Sequence, residues 1–208
     1  MVRLERGGGE FLALVAEHFD SLGLGQLFSP ALYPGVTRSW RRAGFRTYAV
    51  LDIMERSLSR AFDGPGRATM AARPDWDQLL AVDRAAFGGF WAMSRLGLEE
   101  AYATNRDAVL FEIGDGDGVC GYAIVGSQSE LAYLHRIAVH PARAGAGMGT
   151  SLMEAAMSWA RASGNQTMVL NVRPGNTRAR LLYNRLGFAA TGSTLEVMCH
   201  GDCPQLLN

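Results

Sequence analysis

Apolar residues along the chain recur either at helical spacing or in short continuous runs. Recurrence every three to four residues predicts an amphipathic helix, and a short run bounded by turn residues predicts a buried strand. The helical pattern covers residues 11–22, 36–43, 75–87, 94–103, 148–164 and 176–187. The strand pattern covers residues 108–113, 119–125, 130–139, 167–172 and 188–198. The stretch 61–74 is rich in Gly, Ala and Pro, and it is predicted to be a linker.

Capping and turn residues mark several of these boundaries. Asp75 and Asn176 precede helical stretches as N-cap residues, and Gly164 and Gly187 end helices in the left-handed conformation. The Asp-Gly pairs at 115–118 predict a hairpin, because this dipeptide adopts the tight turns that join paired strands. A calcium-binding loop is not expected at these residues, because the glutamate and the residue spacing that it requires are missing. The succession of helices and strands predicts an α/β (α+β) domain around one mixed sheet.

A weak internal repeat relates the first residues to the last third of the chain. SWRRAGF at 39–45 matches LYNRLGF at 182–188 in its Arg, Gly and Phe. Upstream, GGGEFLALVAEHFDSLG at 7–23 is similar to GMGTSLMEAAMSWARASG at 147–164. Either short Gly-Phe helix ends recur by chance, or residues 1–65 are the C-terminal half of an incomplete second copy. We favour the partial copy.

The composition indicates a globular protein without a charge preference. Hydrophobic residues make up 48% of the 208 and charged residues 19%, and 20 Lys and Arg balance 20 Asp and Glu. A net charge of zero gives no electrostatic reason to expect nucleic acid as a partner. No run approaches the ~20 apolar residues of a membrane span, and the N-terminus lacks the apolar stretch of a signal peptide. We therefore expect a cytoplasmic protein with no nucleic-acid or membrane partner.

The three cysteines are Cys120, Cys199 and Cys203. Their odd number and unpaired spacing argue against a disulfide framework and suit a reducing compartment. Cys199, His200 and Cys203 lie close in sequence, but no second cluster completes the four ligands of a metal site. We expect no metal.

A glycine loop, AGAGMGT at 144–150, carries most of the chemical information. Gly145, Gly147 and Gly149 alternate in it between a predicted strand and an amphipathic helix. Glycines let the backbone approach a ligand, and successive amides at a helix N-terminus bind phosphate or pyrophosphate. A Walker loop would need a lysine, and a dinucleotide site would need an acid where the next strand has Asn171. A turn without a ligand is the alternative on spacing alone.

Four motifs in this region together resemble the GNAT superfamily of N-acetyltransferases. They are LHRIAVHP at 134–141, AGAGMGTSLM at 144–153, LNVRPGN at 170–176 and ARLLYNRLGF at 179–188. The resemblance is nearest the amino-terminal protein acetylases and their bacterial relatives. It implies a mixed, mostly antiparallel central sheet flanked by helices. We expect a complete GNAT domain at 66–208, preceded by a partial GNAT-like segment at 1–65 that covers a sheet edge or a dimer face.

The resemblance implies acetyl-CoA as the cofactor. Backbone groups of the central strand would pair with the pantetheine arm like an added strand, and the glycine-loop amides would hold the pyrophosphate. The implied contacts are Ile137, Ala138, Val139, Arg143, Ala144, Gly145, Ala146, Gly147, Met148, Gly149, Thr150, Asn176, Ala179 and Tyr183. The family loop usually opens with Arg or Gln at the position of Ala144, and here the arginine is Arg143, one place earlier. Because backbone amides form the cradle, we expect binding to survive this change.

Acetyl transfer to an amine requires proton transfer at both ends of the reaction. The amine loses a proton, and the departing thiolate gains one. Tyr183 matches the tyrosine that the family places near the thioester sulfur. An ordinary phenol has a pKa near 10, so Tyr183 is protonated and able to donate at neutral pH. A tyrosine that only packs on the core face is the alternative.

The general base is left open. Asn171 stands where the nearest relatives have a glutamate, and an amide cannot take up the proton. His135 on the central strand is the next candidate, because an ordinary histidine has a pKa near 6.5. The period of two places Tyr133, His135 and Ile137 on one face of that strand. A histidine satisfied in the core is an equal alternative, and Glu130 acting through water is a third candidate.

The sequence says least about the acceptor. The resemblance places Phe87, Phe90 and Trp91 beside the acceptor pocket, although core packing is the more common role of such residues. For Arg178, Arg180 and Arg185 a solvated helix face is favoured over contact with the cofactor's nucleotide phosphate. We expect transfer of an acetyl group from acetyl-CoA to a primary amine by direct attack in a ternary complex. The acceptor would be a small-molecule amine or a protein amino terminus. The sequence leaves the oligomeric state open, and a homodimer is one alternative. The alternative is a non-catalytic acyl-CoA-binding or regulatory module.

Overall fold

The computed structural model describes residues 2–3, 8–59, 67–103, 107–116 and 118–203. Two compact units are assembled from separated stretches of the chain. The first unit comprises Met1–Met54, Asn171–Leu181 and Ala190–Asn208, and the second comprises Glu55–Leu170 and Leu182–Ala189. Among the helices of the described ranges, none is long and apolar enough to cross a membrane.

From residue 75 onward the helices and strands follow the predicted order, whereas the four strands between residues 2 and 70 were not predicted. The helices are α1 (Gly9–Ser21), α2 (Thr37–Arg42), α3 (Trp76–Ala86), α4 (Arg95–Ala103), α5 (Met148–Ala162) and α6 (Thr177–Arg185). The strands are β1 (Val2–Arg3), β2 (Gln26–Leu32), β3 (Arg46–Ser57), β4 (Thr69–Met70), β5 (Val109–Asp115), β6 (Gly118–Gln128), β7 (Leu131–Val139), β8 (Thr167–Val172) and β9 (Ala189–Gly201). Short 3-10 turns cover Pro34–Val36, Gly89–Trp91 and Pro141–Arg143.

The first unit is a small sheet with its own apolar core. Strand β1 runs parallel to β2, and β2 runs antiparallel to β9. The core buries residues of α1, β2, α2 and β9, namely Leu12, Ala16, Phe19, Leu27, Trp40, Ala43, Phe45 and Met198. The rings of Trp40 and Phe45 meet edge to face, with centroids 4.9 Å apart. The last strand of the chain therefore shares a core with the first forty-five residues.

The second unit is a sheet in the order β8-β7-β6-β5-β4. Strands β4 to β7 are antiparallel to their neighbours, and β7 and β8 are parallel. On one face, Tyr122 of β6 is buried among side chains of α3 and α4. On the other face, a Cβ on the adjacent Gly121 would lie 3.2 Å from Leu152 of α5. Helices thus flank the sheet on both faces, and the predicted mixed, mostly antiparallel fold is confirmed.

The predicted caps account for the helix ends. The Asp75 carboxylate accepts hydrogen bonds from the backbone N–H groups of Asp77 and Gln78, both at 3.2 Å. Such a cap satisfies donors that have no partner within the helix. Gly164 and Gly187, with φ of 88° and 80°, follow α5 and α6 in the left-handed conformation. The boundaries predicted from these residues are confirmed.

Two predictions need correction. The expected linker is wrong at residues 69–70, because Thr69 and Met70 form β4 and pair with Glu112 and Phe111 of β5. Residues 61–66 of that linker lie outside the described part of the chain.

The cysteine prediction is the second to change. Cys199 and Cys203 are joined by a disulfide, whereas Cys120 is a buried free thiol. The expectation of no disulfide framework therefore missed one short-range bond. The described residues contain no group of three side chains suited to holding a metal ion.

Candidate active site

Strand β7 is interrupted by a β-bulge at His135. Leu134 lies opposite Val125 of β6, and Arg136 lies opposite the next residue, Ile124, so His135 is the extra residue. A bulge reverses the alternation of side chains beyond it. Tyr133 and Ile137 consequently lie on opposite faces of the sheet, and the predicted shared face of Tyr133, His135 and Ile137 is wrong. The period of two fails because the register with β6 shifts by one residue.

Among the described residues, the same strand is paired on both sides only at its beginning. Its parallel pairing with β8 extends over Leu131–Tyr133. From Leu134 to Val139, β7 pairs with β6. The predicted pantetheine contacts Ile137, Ala138 and Val139 lie in this second stretch, opposite Ala123, Tyr122 and Gly121. A strand edge without a second partner can pair with an extended ligand through its main chain.

The glycine loop follows β7 after one 3-10 turn and leads directly into α5. Gly147 occupies the N-cap position of α5 with φ of 75°, a left-handed conformation that an L side chain adopts at a cost. A helix N-terminus leaves its first amides without partners inside the helix. Among the described residues, no acceptor lies within hydrogen-bond distance of the backbone N–H groups of Gly145, Gly147, Met148, Gly149 and Thr150.

These amides fit the pyrophosphate of coenzyme A. Five unpaired donors and the positive end of the α5 dipole form an anion cradle. The backbone at Gly149 approaches α6 so closely that a Cβ would lie 3.2 Å from Leu182. At Gly145 a Cβ would meet open space, so a ligand has access to the loop.

Arg143, the cation nearest the loop in sequence, is held elsewhere. Its Nε lies 2.8 Å and its Nη2 2.7 Å from Oδ2 of Asp115. The hydrogen bond with Asp115 raises the pKa of Arg143. Arg143 therefore directs part of its guanidinium to the β5–β6 hairpin, a placement the sequence did not indicate.

Tyr183 lies on α6 and is 4% exposed. Its ring packs against Phe188, with centroids 5.9 Å apart. Burial raises the pKa of Tyr183 to about 12, opposed in part by the positive charge of Arg136. The hydroxyl makes no hydrogen bond to the part of the chain that the structure describes. Tyr183 thus keeps its proton throughout the neutral range and has an uncommitted donor.

His135 is half-buried beside Tyr133. The two rings stack, with centroids 6.5 Å apart and an interplanar angle of 28°. Burial lowers the pKa of His135 below its ordinary value. The imidazole is therefore neutral at pH 7, the form that accepts a proton.

Glu130 lies at the opposite end of β7 from the glycine loop. Its Oε1 accepts a hydrogen bond from Nε2 of Gln166 at 3.0 Å, and its backbone carbonyl accepts one from the Gln166 N–H at 2.8 Å. At ~3.3 Å per residue, the nine steps along the chain from Glu130 to Val139 span roughly 30 Å. The structure therefore does not bring Glu130 to the loop.

A buried ion pair lies next to the bulge, and it was not predicted from the sequence. Asp83 of α3 is completely buried, and both of its oxygens bind Arg136, with Nε–Oδ2 of 2.7 Å and Nη2–Oδ1 of 2.9 Å. The Tyr122 hydroxyl donates to Asp83 Oδ2 at 2.5 Å. Burial, and then the charge of Asp83, raise the pKa of Tyr122. An acid on the apolar face of α3 and a base within an apolar strand were the signals available.

This ion pair also holds the segment expected at the acceptor pocket. Arg136 Nη2 donates to the Trp91 carbonyl at 2.7 Å, and the Met93 N–H donates to Asp83 Oδ1 at 2.7 Å. The guanidinium carbon of Arg136 lies 3.7 Å from the centre of the Phe87 ring, a cation–π contact. The rings of Phe90 and Trp91 meet edge to face at 4.9 Å. The aromatic segment is therefore fixed to the bulged strand.

Three further residues that the sequence analysis considered for the site belong to the first unit. Asn176 Oδ1 accepts a hydrogen bond from the Ala179 N–H at 3.1 Å, which confirms Asn176 as the cap of α6. Asn171 lies near the end of β8 and is exposed. Arg180 pairs with Asp52, and this pair accounts for one of the three arginines considered for the nucleotide phosphate.

The matches to known proteins agree with this fold and loop. The model of the acetyltransferase (GNAT) family matches residues 76–188. Because that match covers more than half of the 208 residues, the chain belongs to the GNAT family of acetyltransferases. The predicted superfamily is confirmed.

The individual curated relatives are 29–30% identical to this chain in the aligned region. The mycothiol acetyltransferase of Kineococcus radiotolerans is 29% identical over 202 residues, covering 91% of this chain and 66% of the relative. Among its matched curated relatives, the chain spans between 47% and 66% of their length.

Solved structures share the fold at low identity. A GCN5-related N-acetyltransferase from Sphaerobacter thermophilus has a TM-score of 0.63 and 16% identity, over 95% of this chain and 69% of that chain. A tandem GNAT protein from the clavulanic acid biosynthesis pathway has a TM-score of 0.61 and 14% identity, over 93% and 69%.

Proposed function

We propose that this protein transfers an acetyl group from acetyl-CoA to a primary amine by direct attack in a ternary complex. The observation that carries the proposal is the set of unpaired backbone amides of Gly145 and of Gly147 to Thr150 at the start of α5. When bound, acetyl-CoA supplies an acetyl thioester. Membership of the GNAT family supports this choice of cofactor.

The binding roles follow from the backbone. The glycine-loop amides would hold the pyrophosphate, and the open edge of β7 at Ile137, Ala138 and Val139 would pair with the pantetheine arm. The cofactor contacts of Asn176 and Ala179, which belong to the first unit, stay a prediction of the resemblance. Main-chain donors set the position of the bound thioester without needing a charged side chain in the loop.

The proton transfers use two side chains of the second unit. His135 accepts the proton that the attacking amine loses, because burial keeps its imidazole neutral at pH 7. Tyr183 donates its hydroxyl proton to the departing sulfur as the C–S bond breaks, because its pKa of about 12 keeps it protonated. The amine nitrogen gains the acetyl group, and the products are an amide and the free thiol. Bringing both substrates together makes a covalent enzyme intermediate unnecessary.

The acceptor class is supported less directly. Of two kinds of acceptor expected, a small-molecule amine and a protein amino terminus, the first receives support from relatives named for mycothiol. We therefore propose a small amine, and the name of those relatives suggests amines that also carry a thiol. The aromatic segment around Phe87 and Trp91, fixed by Arg136, would border its binding site.

A non-catalytic acyl-CoA-binding module is the second candidate. The observation that favours it is Asn171, an amide at the position where the resemblance to the amino-terminal protein acetylases leads us to expect a glutamate. A module of this kind would bind acetyl-CoA in the same glycine loop and transfer the acetyl group to no acceptor.

We also propose that residues 1–65 are a partial GNAT copy and residues 66–208 a complete one. The order β1-α1-β2-α2-β3 has the same form as β7-α5-β8-α6-β9, with a parallel first pair in each. Pro34-Gly35-Val36-Thr37-Arg38 before and within α2 matches Pro174-Gly175-Asn176-Thr177-Arg178 at α6. The likeness to a tandem GNAT protein supports the same reading. A cytoplasmic location and a homodimer stay predictions.

Acetyl transfer to a panel of amines tests the function. The panel contains small polar amines, amines that carry a thiol, and peptides with free amino termini, and release of free CoA is measured for each. Amide formation with one member supports the enzyme. Tight acetyl-CoA binding with no transfer to any member would favour the non-catalytic module.

A further inference from the structure

An arginine outside the family-matched region lies against the glycine loop. Arg67 Nη2 donates a hydrogen bond to the Ala146 carbonyl at 3.0 Å. The same nitrogen lies 4.0 Å from the place that a Cβ on Gly147 would occupy. Arg67 precedes β4 and stands nine residues before the segment 76–188 that matches the family.

The residues at the start of the loop, Arg143 and Ala144, supply it with little positive charge. It opens with Ala144, where the resemblance leads us to expect Arg or Gln, and so no cationic side chain comes from that position. Arg143 is engaged by Asp115 through two nitrogens. Within the described residues, Arg67 is the basic side chain that hydrogen-bonds a residue of the loop.

We propose that Arg67 binds the pyrophosphate of acetyl-CoA and supplies the cation that the loop itself lacks. A guanidinium has five N–H donors in a rigid fork, which pairs well with phosphate oxygens. One of them binds Ala146, and that bond keeps the fork beside the unpaired amides of Gly147 to Thr150. The inference rests on the proposed function, because it assigns a ligand to the same loop.

The side chain is exposed, so its loss should change affinity without unfolding the protein. A hydrogen bond to a charged group contributes ~1.5–3 kcal/mol. By that scale, removal of Arg67 weakens binding of acetyl-CoA about 10- to 100-fold. A ligand without the pyrophosphate should not be affected.

Calorimetric titration of the full chain with two ligands tests this role. The variants are Arg67→Gln, Arg67→Lys and, as the matched control, Arg73→Gln. Arg73 is an exposed arginine that follows β4, and no hydrogen bond to the loop is found for it in the described residues. This control therefore removes the same charge without removing the contact with Ala146. The ligands are acetyl-CoA and S-acetylpantetheine, which has the same thioester arm and no pyrophosphate.

Arg67→Gln is expected to weaken acetyl-CoA binding by the stated factor and to leave S-acetylpantetheine binding unchanged. Arg67→Lys should lie between Arg67→Gln and the wild type, because a lysine keeps the charge and loses the fork. Arg73→Gln should match the wild type.

Unchanged acetyl-CoA affinity in Arg67→Gln would overturn the role of Arg67 and leave the proposed function intact. Equal weakening for both ligands would also overturn it, since Arg67 would then only support the loop. A folded wild-type protein that binds no acetyl-CoA would overturn the proposed function as well.

Discussion

Asp83 and Arg136 form a two-pronged ion pair beside the bulge of β7, with nitrogen–oxygen distances of 2.7 and 2.9 Å. Asp83 is completely buried, and the Arg136 side chain is 12% exposed. Further hydrogen bonds from Tyr122 and Met93 to the carboxylate satisfy the pair. Because Arg136 also binds the Trp91 carbonyl, one ion pair ties α3, the central strand and the aromatic segment together.

We expect Asp83→Asn to lower the free energy of unfolding by ~3–5 kcal/mol. The substitution leaves the Arg136 charge buried without its counter-ion, and a buried charge that has lost its partner is costly. Urea unfolding followed by circular dichroism measures the effect. The control is Asp77→Asn, which breaks an exposed pair with Arg95. Equal stability of the two variants would contradict the importance assigned to Asp83.

Replacement of Tyr183 by Phe should lower kcat about 100-fold, the scale on which a general acid contributes. Its hydroxyl is proposed to protonate the departing sulfur, whereas the ring alone makes the contact with Phe188. The Kd for acetyl-CoA should therefore change little. Initial-rate assays measure kcat, and calorimetry measures the Kd for acetyl-CoA. The control is Tyr33→Phe, because Tyr33 is exposed. A kcat equal to the wild type would remove Tyr183 from the mechanism.

The pH dependence of kcat/KM should show an acid limb that belongs to His135. Activity requires the neutral imidazole, and burial lowers its pKa. The midpoint of the limb should therefore lie below the ordinary value of about 6.5, with activity rising as the pH rises through it. His135→Gln should abolish the limb, and the exposed His18→Gln should leave it in place. A limb that persists in His135→Gln would assign it to another group.

Gly147→Ala should weaken acetyl-CoA binding at least 10-fold. Gly147 has φ of 75°, and an alanine held in this left-handed conformation costs ~1–2 kcal/mol. If the backbone relaxes to relieve this strain, the unpaired amides move out of position. Gly164→Ala is the matched control, because Gly164 has φ of 88° at the other end of α5 and open space around it. Both variants should lose similar stability in thermal unfolding, and Gly147→Ala alone should lose affinity. Equal affinity in the two would argue against the loop as the cofactor site.

Local sequence signals predicted the elements that depend on local chemistry. Asp75 and Asn176 cap α3 and α6 as expected, because an N-cap bond joins residues only two or three positions apart. The run 167–172 forms β8 with the predicted bounds. The GNAT fold followed from the order and spacing of four motifs, since the glycine loop alone is compatible with a simple turn.

The features that escaped prediction depend on contacts distant in sequence. The bulge at His135 arises from the register of β7 with β6, and the pattern LAYLHRIAV does not record it. Asp83 and Arg136 lie 53 positions apart, so their pairing becomes visible only in the folded sheet. Arg67 stands in a stretch poor in large apolar residues that predicts a linker, and its role depends on reaching Ala146.

The measurement that tests the central claim most directly is calorimetric titration of the wild-type protein with acetyl-CoA, beside ATP and NAD as controls. We predict saturable binding of acetyl-CoA at one site per chain, through the glycine loop, and no binding of ATP or NAD. A folded protein that takes up no acetyl-CoA, or that binds all three ligands alike, would contradict it.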